Sequence, residues 1–316
     1  MKYARRWSWE NTWLVFALVA FAVLPWLLAA GFEPHLGEVY QQTPGRALAT
    51  PAVFGFMWGI AQCTFGLGIE TVGMALAFAV VSGLACLSGS LVPLLVMDPG
   101  EFLRPRGVLL LVGIPILLVA LVFYGKAGRR REREQGSESS AQSRVGYSFT
   151  AGLGICVFTG IVGSAWNVGF AFSGPVLHAS ATAGAGPLTS TYAVWAVILS
   201  AGFVPNLIYC TYLLNRNKTW PRFQQASLRE TMLGVAMALL WLSGILGYGI
   251  GATFAGRYGT SIGFTLFIAA QILASNALGM LTGEWKQTST RTRQVLMAAV
   301  AVTLVAVIVL NLGGAF

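Results

Sequence analysis

Apolar and polar positions along this chain fall into long blocks, not into an amphipathic alternation. Residues 11–31, 51–69, 72–97, 107–125, 147–175, 188–214, 231–251, 259–282 and 294–314 are apolar almost throughout. At about 1.5 Å of rise per residue, roughly 20 apolar residues cross the hydrocarbon layer of a bilayer, so each block is of spanning length. Backbone amides in lipid must bond within their own segment, which makes each block a helix. The pattern predicts an all-α integral membrane protein with about nine transmembrane helices. Between the fourth and fifth blocks, Lys126 to Arg144 is charged, rich in Ser and Gly and nearly free of apolar residues. It reads as a solvated linker. The predicted organisation is a first helical half at 1–125 with four spans, a cytoplasmic linker at 126–146, and a second half at 147–316 with five.

Composition agrees. Apolar residues make up 56% of the chain and charged residues 10%, against about a quarter charged in soluble domains. The net charge of +9 would suit a nucleic-acid partner only if gathered on one face, and it is dispersed among short loops. Sixteen of the 20 Lys and Arg fall on one side of the alternating spans: Lys2, Arg5, Arg6, the six of 126–144, Arg216, Lys218, Arg222, Arg229, Lys286, Arg291 and Arg293. Arg46, Arg104, Arg106 and Arg257 fall on the other. The excess of basic residues marks the cytoplasmic side. The reading is therefore a multi-pass protein of the cell inner membrane, N-terminus cytoplasmic and C-terminus outside. Met1 to Glu10 is basic, but the run after it is of spanning length and lacks a small-residue cleavage site, so no cleavable signal peptide is expected. Cys63, Cys86, Cys156 and Cys210 lie inside apolar segments at no metal-ligand spacing and read as small core residues.

The two halves echo one another. Trp58 is followed by Gly66, Gly68 and Gly73; Trp241 is followed by Gly249, Gly251 and Gly259. A weaker echo pairs Trp13 and Pro25 with Trp195 and Pro205. Under the predicted topology each echoed pair runs in opposite directions, the inverted repeat of secondary transporters with a solute site between halves near the midplane. Span 147–175 precedes the Trp195–Pro205 helix, and nothing precedes the Trp13–Pro25 helix. The expectation is two inverted halves of four and five spans, a ten-helix plan lacking its first helix.

The segments "RRWSWENTW" (Arg5–Trp13), "LPW" (Leu24–Trp26), "FGFMWGIAQCTFGL" through "VGMALA" (Phe54–Ala77) and "LTGEWK" (Leu281–Lys286) resemble the L-rhamnose–proton symporter family of the drug/metabolite transporter superfamily. Less exact similarity runs through 147–285. The resemblance implies ten helices in two five-helix halves, with a first helix before the block that here starts at Arg5. It also implies symport of L-rhamnose. Two departures bear on coupling. Family members carry an Asp flanked by aromatics where this chain has "RYGTSIGF" (Arg257–Phe264), and a Lys where it has Gly174, before Pro175.

A sugar site needs flat apolar faces for the ring and amide or hydroxyl groups for its hydroxyls. Trp58, Gln62 and Thr64 lie near one face of 51–69. The second half offers Trp166, Asn167, Trp195, Asn206, Trp241, Tyr248 and Gln271, with Asn276 nearby. Amides buried in lipid must find protein or water, so interhelical hydrogen bonding is the alternative for each, and for Asn206 a cap beside Pro205. Trp7, Trp9, Trp220 and Trp285 read as interfacial anchors. Ionisable residues are scarce in the spans, which leaves Glu10, Glu70 and His178 as proton-coupling candidates, with water or a helix cap the plainer reading for the two acids. His178 also matches a family His, and His35 reads as a loop residue. The Gly-rich strings lack a preceding strand and a following Lys-Ser/Thr and so make no phosphate loop. No nucleophile–base–acid set is present, no metal ligand set and no cofactor is implied, and an enzyme is not expected. The predicted partners are a small sugar and lipid, with a homodimer left open. A facilitative carrier of another metabolite, or a non-transporting membrane sensor or assembly protein, stays open as the alternative.

Overall fold

The computed structural model describes residues 6–136, 148–225 and 228–314. Within them the regular elements are all helical, and nine helices are long and apolar enough to cross a membrane. The first span is α1 (Trp9–Ala17), a π-helical turn at Leu18–Val23, and α2 (Leu24–Phe32). Pro25 explains the wide turn: it has no N–H for the preceding turn and its ring presses on that turn's carbonyl, and a π-bulge relieves both. After the short α3 (Leu36–Gln42) come α4 (Gly45–Val72), α5 (Met74–Met97) and α6 (Pro105–Glu134). Gly73 alone separates α4 from α5, at a φ of 85° that only glycine adopts freely.

The fifth span is broken into α7 (Phe149–Gly163), α8 (Ala165–Ala171) and α9 (Gly174–Thr182). The sequence reading ended this span at Pro175. The helix instead restarts there, because proline in a first turn lacks only a donor that would be unpaired anyway. The rest is α10 (Tyr192–Arg216), α11 (Leu228–Phe254), α12 (Gly259–Leu281) and α13 (Thr290–Gly314). The start of the segment read as a solvated linker is likewise helical: α6 continues to Glu134, since Lys, Arg, Glu and Ala are all good helix formers. The remainder of that segment from Ser137 lies outside the described residues.

Packing divides the molecule into two compact units, one of the chain up to Cys63 with Ala165–Phe254, the other of Thr64–Ser164 with the chain from Ala255. In the first unit, Gly55 and Gly59 form a Gly-x-x-x-Gly face on α4 against Ile198 and Gly202 of α10. A Cβ on either glycine would run into the Ile198 or Gly202 carbonyl. Such contact lets backbones meet without intervening side chains, the usual way helices associate in lipid. The N-terminal end of this unit is tied by polar contacts. Glu10, expected in water or as a cap, is buried and accepts hydrogen bonds from Asn217 Nδ2 at 3.1 Å and Thr219 Oγ1 at 2.7 Å. Asn11 Nδ2 donates to the Thr219 carbonyl at 3.1 Å, and Trp7 Nε1 to the Arg222 carbonyl at 3.1 Å. Trp7, read as an interfacial anchor, is thus buried and bonded.

In the second unit, hydroxyl pairs join the helices: Ser90 with Thr265 at 2.6 Å, Ser88 with Ser164 at 2.9 Å, and Thr64 with Thr159 at 2.7 Å. At the end of α6, Arg131 pairs with Glu284 at 3.1 Å and lies over the Trp285 ring at 4.8 Å. Glu134 accepts hydrogen bonds from the Ser289 N–H at 2.7 Å and from Thr292 Oγ1 at 2.7 Å, which places its charge at the positive N-terminus of α13. Because Arg131 and Glu284 are partly exposed, Glu284→Gln is expected to lower stability by no more than about 1 kcal/mol. Thermal unfolding in detergent at low and high salt checks this; a salt-insensitive loss several times larger would contradict it.

Candidate functional site

The first unit holds most of the residues that the sequence offered as a sugar site. Ser164 and Ser173 bracket α8, a helix of seven residues that is buried along its whole length. It carries Trp166, Asn167 and Phe170 toward Trp195 of α10 and Tyr248 of α11. Phe170 stacks on Trp195 with centroids 4.5 Å apart and planes at 15°. Trp166 meets Trp195 at 5.5 Å and Tyr248 edge-on at 5.4 Å. The Tyr248 hydroxyl donates to Asn167 Oδ1. The Trp195 indole N–H is buried and has no hydrogen-bond partner among the described residues. An unpaired donor away from water costs about 1–3 kcal/mol, so it is a group waiting for an acceptor. A second aromatic layer lies in the same unit. Trp58 stacks on Trp241 at 5.7 Å and 17°, and Phe21 meets both edge-on at 5.0 and 5.1 Å. The two tryptophans of the sequence echo are therefore face to face.

Other expected residues take different places. Asn206 has no free polar atom: its Oδ1 accepts from Trp13 Nε1 at 2.8 Å, and its Nδ2 donates to the Gly202 carbonyl at 2.9 Å and the Gly59 carbonyl at 3.3 Å. Gln62 is half-buried on α4, the last residue but one of its stretch in the first unit. Thr64 belongs to the second unit, where it bonds Thr159. Gln271 and Glu70 are exposed in that unit. His178, expected in an outer loop, is exposed on α9.

The second unit holds a cavity of about 240 Å³ between α5, α6 and α12, whose polar lining includes Ser82, Tyr124, Arg131, Glu132, Ser275 and Asn276. Its charges are engaged, since Glu132 accepts from the Ala75 N–H at 3.3 Å and Arg131 pairs with Glu284. Of these residues the sequence reading had singled out only Asn276.

Reasoning from sequence also missed Glu33. It follows α2 directly and is 5% exposed, with both carboxylate oxygens unpaired. Burial pushes its pKa above the usual carboxylate range, and the nearby Ser180 hydroxyl pulls it back only in part without sitting in hydrogen-bonding position. A charged residue beside Pro34 and His35 reads as a loop; nothing in its neighbours along the chain reports that α3 and α9 cover it.

The nine long apolar helices among the described residues define the class as a multi-pass membrane protein. The family model described as L-rhamnose-proton symport protein matches residues 1–316, and the chain belongs to that family. The chain is similar to the L-rhamnose-proton symporters of Cronobacter sakazakii, at 27% identity over 99% of this chain and 91% of the relative. It is similar to that of Escherichia coli O1:K1 at 25% identity over 99% and 92%, and to that of Klebsiella pneumoniae at 24% over the same shares.

Proposed function

We infer that this chain is a secondary transporter that moves L-rhamnose, or a sugar of closely similar shape, across the inner membrane together with a proton. The observation that carries this reading is the family match along the whole chain. A 6-deoxy sugar has one apolar face and edge and several hydroxyls. The Phe170–Trp195 and Trp58–Trp241 stacks offer flat apolar surfaces, while Asn167, Tyr248 and the unpaired Trp195 N–H supply polar groups. In this reading Trp58, Trp166, Asn167, Trp195, Trp241 and Tyr248 contact the sugar, and Gln62 joins them when the site opens. Asn206, whose amide is fully used, holds α1, α4 and α10 together instead.

The same reading takes the excess of basic residues as cytoplasmic, so the N-terminus lies inside and the turn after α2 outside. The inverted echo of the halves supports alternating access, and a homodimer is compatible with it.

The test is transport by the purified full chain in proteoliposomes. Labelled L-rhamnose should exchange in counterflow. A pH gradient of about one unit, alkaline inside, should drive accumulation approaching tenfold for one proton per sugar. Counterflow that ignores pH would turn the reading toward a facilitative carrier, and no flux of any sugar toward a protein that does not transport. Tyr248→Phe should raise the KM for L-rhamnose several-fold, as the loss of one hydrogen bond of about 0.5–1.5 kcal/mol implies; an unchanged KM would remove Tyr248 from the site.

A further inference from the structure

We propose that Glu33 is the carboxylate that takes up the coupling proton, in a seat built by the end of α2, by α3 and by α9. This rests on the symport reading above and adds to it a residue outside the sugar-binding cluster.

The geometry carries the argument. An ionised carboxylate taken out of water needs a cation or several donors, and among the described residues Glu33 has neither: it is 5% exposed, neither oxygen is hydrogen-bonded, and no ion pair forms on it. The residues around it are suited to a neutral carboxylic acid. From α9, Ser180 presents a buried hydroxyl that is itself unpaired, able to accept from the acid or donate to the carboxylate. From α3, the Tyr40 phenol is pushed up first by burial and then by the nearby Glu33 carboxylate, and its hydroxyl is already donated to the Ala193 carbonyl at 3.0 Å. From the start of α10, Tyr192 packs on Phe32, the residue before Glu33, at 6.3 Å, and Thr191 keeps an unpaired buried hydroxyl. The remaining titratable groups of these elements point elsewhere: His35 and Glu38 are exposed and lie 3.4 Å from each other, and His178 is exposed on α9.

Glu10, Glu70 and His178 are less suited to the role. Glu10 has a carboxylate oxygen already engaged by Asn217 and Thr219 in the tie at the N-terminal end of the unit, and the other two side chains are exposed. Glu33 sits where coupling needs it. With a proton it is a neutral group that α3 and α9 can cover; without one its charge favours the arrangement in which those helices let water in. Proton binding thereby biases two arrangements of the same unit, which is what linkage between proton and sugar requires.

The experiment compares the wild-type chain, Glu33→Gln and Glu38→Gln in proteoliposomes. Glu33→Gln should keep L-rhamnose counterflow within about twofold while losing the accumulation driven by a pH gradient, and Glu38→Gln should keep both. Undiminished gradient-driven accumulation by Glu33→Gln would overturn the proposal and leave the symport reading intact. A second measurement needs no transport. Dicyclohexylcarbodiimide reacts with protonated carboxyls in apolar surroundings, and mass spectrometry of the solubilised full chain near neutral pH should find Glu33 modified well before Glu38. Equal or slower reaction at Glu33 would overturn the proposal whatever the chain carries. Labelling of Glu33 in a chain that moves no sugar would uphold the proton site and overturn the symport reading. Stability gives the sign independently. Since folding raises this pKa, the wild-type Tm relative to Glu33→Gln is highest below the ordinary glutamate range and falls as pH rises through the folded value. A Tm difference that is flat with pH would count against a buried, titrating Glu33.

Discussion

Gly59→Val should all but abolish recovery of folded protein. The added Cβ would meet the Gly202 carbonyl, a backbone atom that cannot rotate away, and Gly202 in turn lies under the Trp58 ring, where its own Cβ would come within 2.6 Å of ring carbon. Overpacking costs about 1–3 kcal/mol where side chains can give. Here two backbones must part, so at least about 3 kcal/mol is expected, a large share of the stability of a typical fold. Gly247→Ala, on α11 with nothing within 4 Å of the new carbon, is the matched control and should behave as wild type. Size-exclusion profiles and thermal unfolding in detergent read both. A Gly59→Val chain that is monodisperse with an unchanged Tm would show that the α4–α10 approach is looser than described.

The second large effect belongs to Asn206→Leu. Leucine matches asparagine in heavy-atom number and branching but strands the Trp13 indole N–H and removes both amide donations, to Gly59 of α4 and to Gly202 within α10. A stranded buried donor costs about 1–3 kcal/mol, although single interhelical bonds in membranes average nearer 0.6 kcal/mol. The expected result is a clear fall in Tm, with the KM for L-rhamnose of the surviving folded fraction unchanged. That pattern separates it from Tyr248→Phe, for which KM should move most. If Asn206→Leu instead raised KM at constant stability, the amide would belong to the sugar site and not to the clamp.

The existence of the spans was legible because lipid imposes a simple rule: enough consecutive apolar residues must form a self-bonded helix. Their ends were less so. Pro175 looked like a stop and is a restart, and the Lys/Arg/Glu run after Lys126 looked like loop and begins as helix. Both errors come from residues that suit a helix end or a loop about equally well. Membership of the symporter family could be expected from the motifs around Arg5–Trp13 and Phe54–Ala77, because those strings are long and specific.

Site residues were harder to read, because a side chain's role depends on partners distant along the chain. Trp166, Asn167, Trp195 and Tyr248 could be singled out as polar or aromatic within spans; that they converge follows from the break that turns α8 between α10 and α11. Asn206 and Asn167 look alike in sequence, and their hydrogen bonds distinguish them: one has its amide spent on Trp13 of α1, Gly59 of α4 and Gly202 of its own helix, the other is paired with a tyrosine hydroxyl in an aromatic cluster. Glu33 is the extreme case. Hydropathy places it in water just past a span, and two short helices drawn from residues 36–42 and 174–182 remove it from water. The chain alone specified helices, their number and their family, because those depend on local composition and the solvent. Which polar groups are satisfied and which are left wanting depends on long-range packing, and that is where the chemistry of this carrier resides.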